Sequence, residues 1–115
     1  MYQFSYADIQ TDSVSDAKDR ERQLLTRSID MLSAAAAVGH DSMEAIEALH
    51  FTNRVWTTFV EDLGSSDNAL PKDLRANLIS IGLWLLRETE DIRQGRTNNF
   101  EGLIEVSQII RDGLQ

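Results

Sequence analysis

Few side chains in this chain could carry catalysis or bind a metal. A zinc-binding pair on a helix places its histidines four residues apart, and the two histidines, His40 and His50, lack that spacing. Glu61 and Asp62 are adjacent, so on a helix they point to different sides, whereas acid–base catalysis needs converging groups. The absence of cysteine excludes disulfides, thiolate zinc sites and thiol catalysis. We therefore expect neither an enzyme nor a bound cofactor.

Aromatic side chains at the N-terminus are better suited to binding a protein partner. Tyr2, Phe4 and Tyr6 alternate along the chain, so an extended backbone would place their three rings on one side. We predict an extended aromatic N-terminal arm within residues 1–12. This arm either packs on the rest of the molecule or serves as a docking strip for a partner.

The most apolar stretch, residues 78–86, reads Leu-Ile-Ser-Ile-Gly-Leu-Trp-Leu-Leu. It is too short to cross a membrane, which takes a helix of about 20 apolar residues. On a helical wheel the stretch forms one broad apolar arc, but Trp84 falls among polar residues. The last helix, the N-terminal arm or a partner must cover Trp84, and Ile79 and Leu83 adjoin it as candidate contacts. Gly82 would let another helix approach closely.

Helices must position these residues, because the apolar periodicity is helical nearly throughout the chain. The pattern predicts four helices, at about residues 16–38, 42–63, 71–94 and 99–112. Four amphipathic helices with short links are typical of an all-α, four-helix bundle-like single domain, here residues 1–115. The broad apolar arc of the third helix predicts that it lies at the centre, in contact with more than one neighbour. Trp56 lies within the apolar stripe of the second helix, which predicts a core position.

Capping residues and glycines set the predicted helix ends. Ser13 or Ser15 can cap the first helix, and Gly39 can end it in a left-handed conformation. Asp41, with an acid three residues later, has the spacing of a capping box for the second helix. Asn98 has the same spacing at the start of the fourth.

Composition and charge narrow the choice of partners. Apolar residues make up 42% of the chain, which allows a core, and 19 acidic against 11 basic residues give a net charge of −8. A negative net charge disfavours binding to nucleic-acid phosphates and to anionic membrane surfaces. Residues 39–67 contain six acidic residues, and the only Lys or Arg among them is Arg54. This acidic segment is either a solvated face or a wall that faces a partner. Phe51 projects among acidic residues on the second helix, where it is either a modest interaction patch or a single exposed aromatic of the common kind.

Several separate blocks of sequence resemble one known family. They read Met-Tyr-Gln-Phe-Ser-Tyr-Ala-Asp at 1–8, Asn-Ala-Leu-Pro at 68–71, Leu-Ile-Ser-Ile-Gly-Leu-Trp at 78–84 and Ile-Ile-Arg-Asp-Gly-Leu at 109–114. Together with Phe100 and Gly102 to Glu105, they are similar in order to the FlaF proteins, bacterial regulators of flagellin synthesis. The resemblance runs from Met1 to Leu114.

The resemblance implies a non-enzymatic role in flagellum biogenesis. The first residues contain neither a basic region nor an apolar run, so we expect no secretory signal there and a cytoplasmic location. FlaF proteins are thought to bind flagellin before export and to act alongside the translation regulator FlbT. This implies flagellin as a partner, with the contact residues expected to be Tyr2, Phe4, Tyr6, Ile79, Leu83 and Trp84. The alternative is a regulatory adaptor that binds FlbT, with FlbT rather than this chain touching flagellin mRNA. Whether the chain is a monomer or a homodimer stays open.

Overall fold

Four α-helices form the chain in a computed structural model, which describes the backbone of residues 6–113 and the side chains of residues 17–113. They are α1 (Tyr6–Val38), α2 (Met43–Leu63), α3 (Lys72–Arg93) and α4 (Phe100–Gly113). The backbone over this range contains no strand. The predicted all-α fold of four helices is confirmed.

The first helix begins ten residues earlier than its predicted start at residue 16. Residues 6–38 contain neither proline nor glycine, so nothing in this segment forces the helix to end. Ser13 and Ser15 therefore lie inside α1, and neither is its cap. The part of the expected extended arm from Tyr6 to residue 12 is helical, and residues 1–5 lie outside the described residues.

The second helix is capped by Ser42 and not by Asp41. The Ser42 hydroxyl accepts a hydrogen bond from the backbone N–H of Ala45 at 3.1 Å and donates one to the Gly39 carbonyl at 2.7 Å. Ser42 has the extended backbone of an N-cap residue. Its hydroxyl thus ties the start of α2 to the turn that follows α1.

The third and fourth helices begin close to their predicted positions. Pro71 immediately precedes α3, where its missing N–H costs no hydrogen bond. The side-chain oxygen of Asn99 accepts a hydrogen bond from the Gly102 N–H at 3.0 Å. Asn99, rather than Asn98, therefore caps α4.

Glycine allows the chain to turn after α1 and after α3. Gly39 has a φ of 102° and its N–H donates to the Ala35 carbonyl, as predicted for a left-handed helix end. Gly95 has a φ of 77° and follows α3. The Gly95 backbone lies next to the His40 side chain, so the α1–α2 and α3–α4 turns share one end of the molecule.

The helices pack as a ring of antiparallel neighbours in chain order. α1 packs extensively against α2 and α4, and α2 packs extensively against α1 and α3, whereas α3 and α4 touch only sparingly. The expectation that α3 lies at the centre of the bundle is therefore wrong. α1 and α2 each have two extensive packing partners, and α3 has one.

All four helices contribute to the core, and its largest fully buried side chain is Trp56, as predicted. The Trp56 ring meets the Phe59 ring edge to face, with centroids 5.5 Å apart. α3 crosses this part of α2 at Gly82. A Cβ atom on Gly82 would lie 2.6 Å from Val60 Cγ2 and 3.4 Å from the Trp56 ring. The predicted close approach at Gly82 is thus confirmed, with α2 as the approaching helix.

Among the described side chains, each helix buries one hydroxyl, and these are Ser28, Thr52, Thr89 and Ser107. The hydroxyls of Ser28 and Thr52 share a hydrogen bond of 2.6 Å between α1 and α2. Thr89 donates to the Leu86 carbonyl of its own helix at 2.8 Å. The Ser107 hydroxyl has no hydrogen-bond partner among residues 17–113. We call this set the hydroxyl layer.

Candidate partner-binding site

The predicted contact residues fall into a terminal set and an α3 set. Tyr2 and Phe4 lie outside the described residues. Tyr6 is the first residue of α1, and its side chain is also outside the description. Residues 1–5 of the arm therefore stay a prediction, and the described part of the site lies on α3 and its neighbours.

The α3 residues do not form one surface. Trp84 is half-buried and packs against the core, Leu83 is 46% exposed, and Ile79 is half-buried. At about 100° per residue, Trp84 lies about 100° from Leu83 and about 140° from Ile79 around the helix. Trp84 thus lies on one flank of α3, and Ile79 and Leu83 lie on the other.

Trp84 lies on the flank of α3 that faces α4. Glu88, one turn further along the same flank, accepts a hydrogen bond of 2.9 Å from the Asn99 side chain at the start of α4. Residues Ile81 and Trp84 on α3, and Val106 and Ile110 on α4, are all half-buried against the core. The bundle itself therefore covers part of the Trp84 side chain, and the rest of this side chain stays accessible to solvent.

The short length of α4 leaves the first turns of α3 uncovered. Its 14 residues span about 21 Å, and the 22 residues of α3 span about 33 Å. Because α4 runs back along α3 from their shared turn, it ends before the first turns of α3. Leu74, three turns before buried Leu85 and on the same side of α3, is consequently 44% exposed.

The accessible and half-buried apolar side chains along the sparsely packed side of α3 and α4 form a surface that we call the α3–α4 seam. Its members are Leu74, Ile81 and Trp84 on α3 and Val106, Ile109 and Ile110 on α4. Ile109 lies about 60° around α4 from Val106, on the flank turned away from α1, and is 65% exposed. Sequence reasoning missed Ile109, although three large apolar residues at 106, 109 and 110 are a wider stripe than one core face needs.

Acidic side chains line the outer edge of the seam. On α3, Asp73 and Asp91 lie on the Trp84 flank, and on α4 Glu105 is one turn from Ile109. Arg96 forms an ion pair with Asp91 at 2.8 Å. Arg87, one turn from Trp84, also lies on this flank, so the edge of the seam carries only a small excess of negative charge.

Phe51 does not form the predicted patch among acidic residues. It is half-buried and packs against the core, and the Arg27 guanidinium of α1 lies 4.9 Å from its ring centroid. This is a cation–π contact between α1 and α2. The prediction of an exposed interaction patch at Phe51 is wrong.

The pKa values of two carboxylates, Glu21 and Glu90, differ clearly from their usual values. Partial burial, followed by repulsion from Asp62 of α2, raises the pKa of Glu21 above its usual value. Hydrogen bonds from Arg93 and Gln94 lower the pKa of Glu90 to about 2. Glu21 is therefore a point of charge repulsion between α1 and α2, and Glu90 is part of a hydrogen-bonded cluster at the end of α3.

The histidines and acids of the described residues do not assemble a metal site. His40 contacts Asp41 at 2.9 Å, and His50 is exposed on α2. Over the described part of the chain, no group of three or more potential ligands comes together. The same residues include no helix with the length and apolarity needed to cross a bilayer.

Comparison with known proteins gives one match. A family model described as flagellar protein FlaF matches residues 2–114, which is nearly the whole chain. No curated protein and no solved structure is similar enough to count as a match.

Proposed function

Because the chain belongs to the FlaF family of flagellar proteins, we propose that it binds flagellin as a cytoplasmic secretion chaperone and is needed for flagellin production and flagellum assembly. The observation that carries this proposal is the α3–α4 seam, where apolar side chains stay accessible on a folded helical domain. Accessible apolar grooves with polar edges are typical of protein-binding surfaces.

The proposed mechanism is the binding of an amphipathic helix in an apolar groove. The ends of unassembled flagellin are expected to be disordered and prone to aggregate until they polymerise. Covering their apolar faces would keep flagellin soluble and competent for export. Trp84 at the seam and the N-terminal residues Tyr2, Phe4 and Tyr6 are proposed contacts, with Ile79 and Leu83 as a second, separate surface on α3.

Co-purification from cells that lack FlbT tests this function. The full chain carrying an affinity tag is expressed together with flagellin, and we expect flagellin to be retained. Retention only when FlbT is also present would refute the chaperone role, and it would favour the regulatory adaptor. Absence of flagellin in both cases would contradict flagellin binding altogether.

Two variants test the proposed contacts. Deleting residues 1–6 and changing Trp84 to Ala should each reduce flagellin retention, because each removes aromatic contact area. Circular dichroism serves as the control for an intact fold, since Trp84 also packs against the core. Undiminished retention by both folded variants would remove the arm and Trp84 from the site.

A further inference from the structure

We propose that the α3–α4 seam binds one partner helix of about four turns that carries an apolar stripe flanked by basic residues. This rests on the proposed function only for the identity of the partner. It assigns a chemical class to the bound segment, and it adds Ile109, Leu74 and Glu105 to the contact surface.

The shape of the seam sets the kind of segment that fits. In the ring of helices the α3–α4 side is the one with sparse packing, so a further helix can lie against both. Leu74 and Trp84 are ten residues apart on α3, about 15 Å along its axis, so a helix of roughly 14 residues, about 21 Å, can contact both. An apolar stripe at helical spacing would meet Trp84, Ile109 and the exposed Leu74.

The charged residues at the edge of the seam determine which charged residues the bound segment should carry. Asp73 borders the seam on α3 and Glu105 borders it on α4, whereas Asp91 is paired with Arg96 and Arg87 lies on the same flank of α3. A small excess of acid therefore remains at the edge. Lysine or arginine on both sides of the apolar stripe would complement these acids, and acidic residues there would be repelled. A second copy of this chain fits poorly for the same reason, since each copy has a net charge of −8.

Three synthetic peptides of 15 residues provide the test, by calorimetric titration into the full chain. The first contains Leu at helical stripe positions and Lys elsewhere, the second replaces Lys by Glu, and the third shuffles the first. We expect the first to bind and the other two to bind at least about tenfold more weakly. Equal binding of the shuffled peptide would overturn the proposal, because it would show charge attraction without groove recognition.

A pair of matched variants locates the binding site. Ile109 in the seam and Ile46 on α2 are both exposed isoleucines, at 65% and 52%, so Ile109→Glu and Ile46→Glu are both expected to fold. Ile109→Glu should weaken binding of the Leu/Lys peptide at least about tenfold, and Ile46→Glu should leave it unchanged. A new glutamate strengthens general attraction to lysine, so a loss of affinity at Ile109 reports apolar contact. Unchanged affinity in Ile109→Glu would refute the seam.

Other occupants give distinct results. Stronger peptide binding after deletion of residues 1–5 would show that the chain's own N-terminus occupies the seam, and a dimer dissociated by Ile109→Glu would show a second copy there. Either result overturns the proposal.

If wild-type chain binds the Leu/Lys peptide at Ile109 but retains no flagellin, the seam stands and the proposed function fails. If Ile109→Glu retains flagellin as well as wild type does, the function stands and the seam fails.

Discussion

At the scale of single residues, the hydroxyl layer is the least expected part of the core. A buried hydroxyl without a partner costs about 1–3 kcal/mol, and a satisfied one contributes about 1 kcal/mol. Ser28 and Thr52 satisfy each other, whereas the Ser107 hydroxyl is unpaired within the described part of the chain. The two kinds of site should therefore respond in opposite directions when the hydroxyl is removed.

Changing Ser107 to Ala should leave the free energy of unfolding unchanged or raise it by up to about 1 kcal/mol, because an unpaired buried polar atom is removed. Changing Thr52 to Val should lower it by about 1–3 kcal/mol, because the Ser28 hydroxyl loses its partner while side-chain volume is kept. Urea unfolding followed by circular dichroism measures both. A larger loss in Ser107→Ala than in Thr52→Val would contradict this account.

At the scale of elements, the sequence predicted the number and order of the helices but not their packing partners. The cap residues differ from prediction by one position, because Asp41 and Ser42, like Asn98 and Asn99, are neighbours that can both cap a helix. The apolar arc of α3 predicted a central helix. Part of that arc, at Leu74, is exposed instead, since the length of α4 decides how much of α3 is covered.

Gly82 is the element-scale feature that sequence reasoning located correctly, and it can be tested by adding one methyl group. Gly82→Ala should destabilise the fold by a net of up to about 2 kcal/mol, because overpacking against Val60 and Trp56 costs about 1–3 kcal/mol and alanine returns roughly 1 kcal/mol of helix propensity. Thermal unfolding measures the change.

Gly64→Ala is the matched control for Gly82→Ala. Gly64 follows α2 with a φ of −81°, and the nearest heavy atom to an added Cβ would be 3.5 Å away. This substitution should be neutral or should stabilise by up to about 1 kcal/mol. If the Gly82→Ala variant unfolds at the same temperature as the Gly64→Ala variant, the close contact of α2 and α3 relaxes without a cost in stability.

At the scale of the whole molecule, the site depends on how the helices close into a ring. The wheel of α3 identified Trp84 as an outlier, but a wheel cannot say which neighbour lies beside it. Only the Glu88–Asn99 contact places Trp84 on the α4 side and separates it from Leu83. Ile109 joins the seam for the same reason, because its relation to α3 is set by packing and not by its position in the sequence.

The excess of acidic residues also affects the stability of the whole molecule, because Glu21 of α1 lies near Asp62 of α2. The pKa of Glu21 is raised above its ordinary value of 4.5 by burial and then by Asp62, so the ionised carboxylate destabilises the fold at pH 7. Glu21→Gln should therefore raise the free energy of unfolding at pH 7, by less than about 1 kcal/mol because solvent screens the group. The gain should shrink as the pH falls through the raised pKa and vanish below 4.5.

Glu90→Gln is the control of opposite sign. Because Arg93 and Gln94 lower the pKa of Glu90 to about 2, its ionised form stabilises the fold above pH 4.5, and this contribution is lost as the pH falls towards 2. Glu90→Gln should consequently reduce stability at pH 7 and match wild type at the acid end. Thermal unfolding at several pH values compares the two variants. Parallel pH profiles for Glu21→Gln and Glu90→Gln would contradict the assignment, because opposite pKa shifts require the two profiles to diverge from wild type in opposite directions as the pH rises.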